Sequence, residues 1–377
     1  MLAVKIITLL SVIGVVVCAA TPANDVGIPI RETFKSERDE KQFVLGREKT
    51  VRVSRLHPII PHLAVPLRDH NVRLWVANVP LTPFRAPVQM LPPLPPGVAL
   101  PRFLMYRPEL LSPVRNQGDC GTCWAFAVSN VLADRAMVAT RAEYRRGSLS
   151  VQQLLSCYDR SGCDGGSPEE ACLLLASTGE ELVSESLFPF TQGDGGAVYS
   201  ACEKNIPPSA VRVGVVEKSV RSVVHFVEGN APVAIDENVR NMKLELIQGG
   251  PFYSAIAVYD DLYLFSGLKP YRPGKSATLV GGHAIEIIGY CERGADPRPR
   301  YKDTGYWVCK NSWGEDWPTQ TDTPGYFTVV MGENVCGIES RCGFATPEIF
   351  SGTPDDLNPR LPLKSIRYTD INDYLKT

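Results

Sequence analysis

The feature that most constrains the fold is an abrupt junction at residues 117–126, which read Q-G-D-C-G-T-C-W-A-F. A loop with two glycines ends there, and the run that follows, up to about Thr140, contains neither proline nor glycine. An unbroken run with apolar residues at helical spacing indicates an α-helix. The sequence therefore predicts a buried central helix that begins beside Cys123. The residues at helical spacing are Val128, Val131, Leu132 and Ala136.

Cys123 occupies the first turn of this predicted helix, which is a favourable position for a nucleophile. The unpaired N–H groups and the positive end of the helix dipole there stabilise a thiolate. Gln117 lies six residues earlier, and its side-chain amide and the Cys123 N–H would donate to an oxyanion formed beside the sulfur. The alternative for Cys120 and Cys123 is a disulfide, a redox pair or half of a zinc site, although the sequence has no second ligand pair at similar spacing.

A nucleophilic cysteine needs a base, and His283 lies 160 residues after Cys123 at the start of the apolar run H-A-I-E-I-I-G-Y. Its imidazole would accept the thiol proton and later protonate the leaving amine. Asn311 follows another predicted strand within K-N-S-W-G. Its side-chain carbonyl would orient the ring, and Trp313 would shield that hydrogen bond from water. Read alone, these residues would be a structural histidine and a turn asparagine.

Together these motifs resemble the papain-like cysteine peptidases, over roughly residues 100–350. The resemblance implies an α+β fold of two lobes with the active-site cleft between them. The helical lobe would span about 100–207 and the antiparallel, β-barrel-like lobe about 208–350. The resemblance also implies cleavage of peptide bonds through a thioester intermediate. The implied catalytic residues are Cys123, His283, Asn311 and Gln117.

The same resemblance implies disulfides and substrate contacts. It pairs Cys120 with Cys163, and Cys157 with Cys202 as a second bridge. The glycines that follow Cys163 leave the backbone open for an extended peptide to pair with Gly166, where the alternative is an ordinary turn. Substrate-binding residues are expected at Gly165, Gly166, Pro168, Ala284, Trp313 and Arg341.

Three motifs look most like the cathepsin B branch of the family, namely D-R-A-M at 134–137, G-H-A-I at 282–285 and C-G-I-E-S at 336–340. The sequence lacks the long insertion that blocks one end of the groove in that branch, so endopeptidase cleavage is predicted. Arg341 falls at the floor of the second specificity pocket, where the branch has an acid. An inward Arg341 predicts that Arg or Lys at P2 is disfavoured and an acid is accepted, whereas a solvent-facing one has no such effect.

Local patterns predict further elements. Short helices are expected at 149–156 and 168–177, with Ser150 and Ser167 as N-caps. After about Pro208 the pattern changes to short strands rich in β-branched or aromatic residues. These strands are predicted at 211–216, 252–258, 283–290, 306–310 and 326–330.

The chain has eleven cysteines. Without Cys18 in a predicted leader and a catalytic Cys123, nine remain, so at least one more thiol is unpaired. The others fit disulfides of an oxidising compartment. Cys336 and Cys342 are close enough in sequence to bridge locally. No partner is assigned to Cys172, Cys291 and Cys309.

Residues 1–20 are typical of a secretory leader, in which Lys5 precedes an apolar core at 6–17 and cleavage follows Ala20. The core is too short to span a bilayer comfortably, and no later stretch is long enough. The sequence therefore predicts a secretory-pathway protein, lysosome-like, vacuolar or extracellular, with no membrane segment after leader removal. A membrane-retained or lipid-modified start at Cys18 is the alternative.

Residues 21–99 end in a proline-rich run and carry eleven Lys or Arg against seven Asp or Glu. They are predicted to form a prosegment that lies across the groove as an intramolecular inhibitor, with the mature chain starting near Ala99 or Leu100. The alternatives are a flexible linker or a separate inhibitory or sorting module. Residues 351–377 form a polar C-terminal extension, predicted to lie on the surface or to be disordered.

Charge and motifs also narrow the class of function. The net charge of −2 comes without a basic and aromatic stripe, so nucleic acid is not indicated as a partner. No cofactor or metal is predicted, and the expected partners are protein or peptide substrates that meet a monomer. Two alternatives remain. One is a catalytically inactive homologue that acts as a binding protein, and the other is a peptidyl transferase that uses the same triad.

Overall fold

The structure is a computed structural model of the 377-residue chain. It describes residues 15–18, 79–106 except 90, 93 and 95, 111–139 except 119, 147–158, 162–191, 202, 206–227, 231–318 and 323–350. Most of the predicted leader, most of the predicted prosegment and the predicted C-terminal extension therefore lie outside the described residues. Among those described, no helix combines the length and the apolar character needed to cross a membrane.

The predicted central helix is present as α1, Cys123–Ala139, and its residues from Cys123 to Val138 are all buried. It begins at the predicted junction because the Thr122 carbonyl accepts hydrogen bonds from the N–H groups of Ala125 and Phe126. The helix packs against the longest strand of the molecule. Burial on every side explains why most of α1 is apolar, and its buried charges, Asp134 and Arg135, form ion pairs with Lys310 and Glu245.

Two shorter helices confirm the predicted N-caps. Helix α2, Val151–Gln153, continues into a wider turn at Leu154–Tyr158, and the Ser150 hydroxyl accepts a hydrogen bond from the Gln153 N–H at 2.9 Å. Helix α3, Pro168–Thr178, begins after Ser167, whose hydroxyl accepts from the Glu170 N–H at 3.4 Å. These contacts satisfy N–H groups that would otherwise lack a partner at a helix start.

A fourth helix, α4, spans Pro232–Gln248 within the part of the chain predicted to be strand-rich. The prediction missed it because charged and amide side chains fill much of this segment. Its helical signals are Pro232 at the first helical position, the absence of glycine and proline after it, and buried Ile235, Met242 and Leu246 at helical spacing. The second half of the chain is therefore mixed rather than purely β.

Eight of the described strands form one antiparallel sheet. They are β1 Val15–Cys18, β2 Phe103–Tyr106, β5 Arg221–Ser222, β6 Phe252–Tyr259, β7 Leu279–Cys291, β8 Tyr306–Lys310, β9 Tyr326–Val330 and β10 Cys342–Phe344. Their order is β1-β2-β7-β6-β10-β5, with β8 paired to β7 and β9 paired to β8. The predicted strands of the second half are all present.

A second, three-stranded sheet contains the remaining described strands. It pairs β11, Pro347–Phe350, with β4, Arg212–Val215, and β4 with β3, Leu182–Val183. Because β11 also packs against α1, the chain returns to the helical part of the molecule after the large sheet is complete. Helices and antiparallel sheets together confirm the α+β fold.

The register of β7 determines which residues meet at the helix. His283 lies opposite Ile256 of β6, and Glu286 lies opposite Lys310 at the end of β8. Asn311 follows Lys310 directly. The predicted base and its predicted orienting residue therefore lie on neighbouring strands, close to the start of α1. Strand pairing thus positions His283 and Asn311, which lie 28 residues apart in sequence.

Candidate active site

The start of α1 is anchored between the loop before it and the large sheet. The Gln117 N–H donates to the Ser312 carbonyl at 2.8 Å. Cys123 is fully buried and forms no disulfide, and its sulfur accepts a hydrogen bond from the Ala284 N–H at 3.3 Å. Because Ala284 follows His283 directly in β7, this contact brings the predicted nucleophile to the strand that carries the predicted base.

The hydrogen bonds around Asn311 define the proton positions on His283. Asn311 Oδ1 lies 2.8 Å from His283 Nε2 and also accepts from the Ser312 N–H at 2.8 Å. Since this oxygen is an acceptor, Nε2 carries the hydrogen and Nδ1 is the basic nitrogen in the neutral ring. His283 Nδ1 is buried and has no hydrogen-bond partner among the residues that the structure describes. The ring therefore presents an unprotonated nitrogen, as a general base requires.

Burial controls the charge of this imidazole. His283 is 0% exposed, and this burial lowers its pKa from 6.5 to about 4, although the hydrogen bond to Asn311 acts in the opposite direction. The Trp313 ring lies 4.8 Å from the His283 ring and stacks on Tyr263 at 5.2 Å. His283 is thus neutral at pH 7 in this structure and is walled by aromatic rings.

Gln117 has one amide hydrogen left for a further acceptor. Its Nε2 donates to the Cys120 carbonyl at 2.9 Å, and its Oε1 accepts from the Ser312 hydroxyl at 2.7 Å. An amide nitrogen carries two hydrogens, so the second remains for a group bound beside Cys123. The predictions did not include Ser312, which fixes the orientation of this amide. Its position within K-N-S-W-G was the only available signal.

The cysteines of the junction belong to different structures. Disulfides join Cys120 to Cys163 and Cys157 to Cys202, as expected from the resemblance. The alternative disulfide between Cys120 and Cys123 is therefore wrong. No group of three or more His, Cys, Asp or Glu side chains in the described part of the chain is arranged to hold a metal ion.

The suggested local bridge between Cys336 and Cys342 is also wrong. Both are buried free thiols, and the Cys342 thiol contacts the Ile338 carbonyl at 2.9 Å. Strand β10 fixes Cys342 opposite Ser254, while Cys336 lies in a tight turn with a φ of 57°. The three cysteines without an assigned partner, Cys172, Cys291 and Cys309, are buried and form no disulfide.

Gly165 and Gly166 are required to be glycine for different structural reasons. Gly165 has a φ of 111°, a conformation that favours glycine. A Cβ on Gly166 would lie 2.7 Å from the Trp124 ring, so only glycine fits against the indole. Pro168 follows as the first residue of α3 and is buried. The backbone at Gly166 is thereby held next to the start of α1, where the predicted substrate strand would run.

An extended stretch of the chain, residues 79–89, lies over the groove, and we call it the covering segment. Its Val79 carbonyl packs against Gly282, the residue before His283. Farther along, the Leu81 carbonyl accepts a hydrogen bond from Arg341 Nε at 2.8 Å, and the Phe84 ring meets the Tyr253 ring edge-on at 5.7 Å. The covering segment therefore leads away from His283 along one half of the groove.

Arg341 turns toward the covering segment. Besides its bond to Leu81, its guanidinium lies 5.6 Å from the Phe226 ring, and its Nη1 lies against Gly337, where it has no hydrogen-bond partner among the described residues. Burial lowers the pKa of the guanidinium, which remains charged. The Nε donor that holds Leu81 could bind an acceptor on a ligand that replaces the covering segment.

A buried cluster behind the site was not predicted. Lys310 Nζ lies 2.8 Å from Asp134 Oδ2, 3.3 Å from Glu286 Oε2 and 2.7 Å from the Ser112 hydroxyl. Burial, and then the charge of Asp134, raises the pKa of Glu286 well above its usual value. Glu286 therefore holds its proton more tightly than an ordinary carboxyl does, and Lys310 pairs with Asp134. The sequence signals were a glutamate in an apolar strand and a lysine just before Asn311.

Comparisons with known proteins agree with this geometry. The profile of the family described as papain family cysteine protease matches residues 100–346. The chain is 28% identical to "Cathepsin B-like cysteine proteinase 5" of Caenorhabditis elegans over 256 residues, which cover 63% of this chain and 70% of that protein.

Two solved structures share the fold. One is the procathepsin B S9 of Trypanosoma congolense, with a TM-score of 0.56 and 24% identity over 73% of this chain and 87% of that chain. The other is the digestive procathepsin L2 proteinase from the larval midgut of Tenebrio molitor, with a TM-score of 0.59 and 21% identity. The second alignment covers 92% of this chain and 100% of that chain.

Proposed function

Since the chain belongs to the papain family of cysteine proteases and is a cathepsin B-like cysteine peptidase, we propose that it is an endopeptidase made as a zymogen. Its catalytic residues are Cys123, His283 and Asn311, assisted by Gln117. The observation that carries the proposal is the meeting of two contacts at one point: Cys123 with the backbone beside His283, and His283 with Asn311 at 2.8 Å.

The reaction begins when His283 Nδ1 takes the proton of the Cys123 thiol. The thiolate attacks the carbonyl carbon of the scissile bond, and the resulting oxyanion accepts hydrogen bonds from the Cys123 N–H and the remaining N–H of Gln117 Nε2. The C–N bond then breaks as the imidazolium gives its proton to the leaving amine. A thioester remains on Cys123.

Water completes the cycle. His283 Nδ1 accepts a proton from water as the oxygen attacks the thioester carbon. The C–S bond then breaks, the product leaves as a carboxylic acid, and the imidazolium returns its proton to the Cys123 thiolate. Throughout both steps Asn311 Oδ1 keeps the ring in the orientation that directs Nδ1 to the sulfur. Trp313 keeps water away from that hydrogen bond. An amine in place of water would give a transpeptidation product, so product analysis distinguishes a hydrolase from a peptidyl transferase.

The covering segment supports the zymogen proposal. It belongs to the predicted prosegment, and it continues past the groove with the Gln89 N–H donating to the Ser222 carbonyl at 2.7 Å and the Ser222 N–H to the Pro87 carbonyl at 3.1 Å. Paired backbone and buried Val79 are features of a docked inhibitor rather than of a flexible linker. Removal of residues 21–99 would open the groove.

The destination of the protein is part of the same proposal. The predicted leader and the two disulfides fit an oxidising compartment of the secretory pathway, lysosome-like, vacuolar or extracellular. The substrates would be proteins or peptides that reach a monomeric mature enzyme. The sequence between Glu185 and Cys202 lacks an insertion that would block the groove, which favours cleavage within chains.

The test compares the full chain with the chain processed to remove residues 21–99. An epoxide thiol inhibitor is applied to both at acid pH, and the modified residue is mapped by mass spectrometry. We expect labelling of Cys123 only after processing, together with cleavage of internally quenched peptides. Cys172→Ser is the control, because it removes another buried thiol. Labelling elsewhere, or a processed protein that cleaves no peptide, would refute the proposal.

A further inference from the structure

Glu169 has a position and a set of contacts that catalysis does not use. It is the second residue of α3 and is only 4% exposed. Its Oε2 accepts a hydrogen bond from the Arg85 N–H at 2.9 Å, and its Oε1 accepts from the Ala86 N–H at 2.7 Å. Both carboxylate oxygens are therefore occupied by consecutive backbone donors of the covering segment.

These donors belong to a segment that leaves on activation, if the proposed function is correct. Among the residues that the structure describes, no lysine or arginine forms an ion pair with Glu169. The N-terminus of α3 offers only partial stabilisation of the negative charge. When these two donors leave, both carboxylate oxygens can accept hydrogen bonds from a donor or cation of the ligand that replaces the covering segment.

The order of contacts along the covering segment indicates which part of a substrate would bind Glu169. The covering segment meets Gly282 with Val79, Arg341 with Leu81 and Glu169 with Arg85 and Ala86. The covering segment thus reaches Glu169 four or five residues after its contact with Arg341, so we place Glu169 beyond the expected P2 site. A substrate strand paired with the backbone at Gly166 uses its own N–H groups there, so a side chain is the part that reaches Glu169.

We propose that Glu169 forms an acidic subsite in the mature groove that binds a protonated Lys or Arg side chain at P3 of the substrate. In the zymogen the same carboxylate holds the backbone of the covering segment, so substrate and prosegment compete for it. The proposal rests on the proposed function and adds a substrate class to it. A charge-assisted hydrogen bond supplies the selectivity.

The first experiment measures kcat/KM of the mature enzyme with internally quenched peptides that differ only at P3, as Lys, norleucine or Glu. We expect a preference for Lys over norleucine of about tenfold, the scale of one charge-assisted contact, and the poorest cleavage with Glu. Glu169→Gln should reduce the Lys-to-norleucine ratio to about one. Glu170→Gln is the matched control, because Glu170 is the exposed neighbour on the same helix turn.

Two results would overturn the proposal. One is the absence of a P3 preference in the wild-type enzyme, and the other is an unchanged ratio in Glu169→Gln. Cleavage of the norleucine peptide by wild-type enzyme tests the proposed function separately, so failure of one proposal is distinguishable from failure of the other.

A second experiment uses the covering segment as a free peptide, residues 79–89, against the mature enzyme. N-methylation at Ala86 removes one donor to Glu169 without changing a side chain, and we expect inhibition to weaken by about tenfold. N-methylation at Val88 is the control, because the bonds to Ser222 come from the neighbouring residues Pro87 and Gln89. In Glu169→Gln the Ala86 effect should shrink. Equal effects of the two methylations would contradict the assignment.

Discussion

At the scale of single residues, Asn311 holds the ring of His283, the proposed base. Its Oδ1 accepts from both His283 and the Ser312 N–H, so the amide cannot rotate without losing a bond. This double acceptance fixes the tautomer of the ring and leaves Nδ1 as the basic nitrogen. In the proposed mechanism the residue therefore acts through the orientation of His283 rather than by contact with the substrate.

Replacement of this residue tests the orienting role. Asn311→Ala should lower kcat by about 10- to 100-fold, because a freely rotating imidazole rarely faces the sulfur, while KM changes little. Asn311→Asp keeps both acceptor oxygens and should retain more activity than Asn311→Ala. Steady-state kinetics on folded, processed enzyme gives the comparison. Equal kcat values for wild type and Asn311→Ala would contradict the assignment.

A second prediction at this scale concerns Arg341 and the preference for the substrate residue at P2. Its guanidinium contacts the covering segment through Nε and the Leu81 carbonyl, so when substrate replaces that segment a P2 glutamate should be cleaved faster than a P2 arginine. Arg341→Glu should reverse that order, because the sign of the charge in the pocket reverses. Peptide pairs that differ only at P2 provide the measurement, and Arg272→Glu, which alters an arginine half exposed to solvent, is the control. Equal cleavage of both peptides by the wild type would refute the role.

The sequence could predict residues whose neighbours along the chain carry the signal. Cys123, His283, Asn311 and Gln117 lie in contiguous motifs, and the structure brings all four to one place. Ser312 lies within the same motif as Asn311, but its bond to Gln117 joins residues 195 positions apart, and Glu169 contacts Ala86 at a separation of 83 residues. Only tertiary contacts show which buried polar groups meet.

At the scale of elements, the buried cluster connects α1 to two strands. Asp134 belongs to the helix that starts at Cys123, Glu286 to the strand of His283, and Lys310 to the strand before Asn311. The three side chains are at most 1% exposed. The cluster therefore holds together the three elements that carry the proposed catalytic residues.

Removal of one charge from this cluster should destabilise the folded protein. Lys310→Met should lower the free energy of unfolding by about 3–5 kcal/mol, because Asp134 is left buried without a counter-ion. Adding Asp134→Leu should recover most of that loss, since no unpaired charge remains. Chemical denaturation measures both variants, with Lys218→Met as an exposed control. A single variant that is more stable than the double variant would show that the charges are not paired in this way.

Glu286 gives a pH-dependent prediction for the same cluster. Its pKa is raised in the folded state, so above the ordinary value near 4.5 the unfolded chain releases a proton that the folded chain keeps. Stability from this group is therefore present at low pH and is lost as pH rises. Glu286→Gln should flatten the fall in unfolding free energy between pH 5 and pH 8. A wild-type slope that persists in the variant would contradict the protonated state.

Elements were predictable where one pattern dominated the segment. Helix α1 was predicted because it is apolar without breakers, and the strands of the second half because they are short and β-branched. Helix α4 was missed because Asp236, Glu237, Arg240 and Lys243 obscure a narrow apolar stripe. Its burial depends on the sheet that it covers, and local patterns do not report that contact.

At the scale of the whole molecule, the proposed prosegment would couple activation to pH. The covering segment packs beside His283 through Gly282, and in this closed state burial lowers the pKa of His283 to about 4. An imidazole in an open, hydrated groove would titrate near its ordinary value of 6.5. The closed state therefore binds a proton more weakly than the open state does, and acid favours the open state.

This coupling can be measured with the peptide of residues 79–89, whose only ionisable side chain is Arg85. Its Kd for mature Cys123→Ala enzyme should rise by about 100-fold between pH 7 and pH 4, a change of about 3 kcal/mol that follows from the shift at His283. Glu169 also contacts the peptide, so the titration is repeated in Glu169→Gln to separate its contribution. Adding His283→Gln should remove the remaining dependence. If binding keeps the same pH dependence without the imidazole, His283 is not the group that links acidification to release of the covering segment.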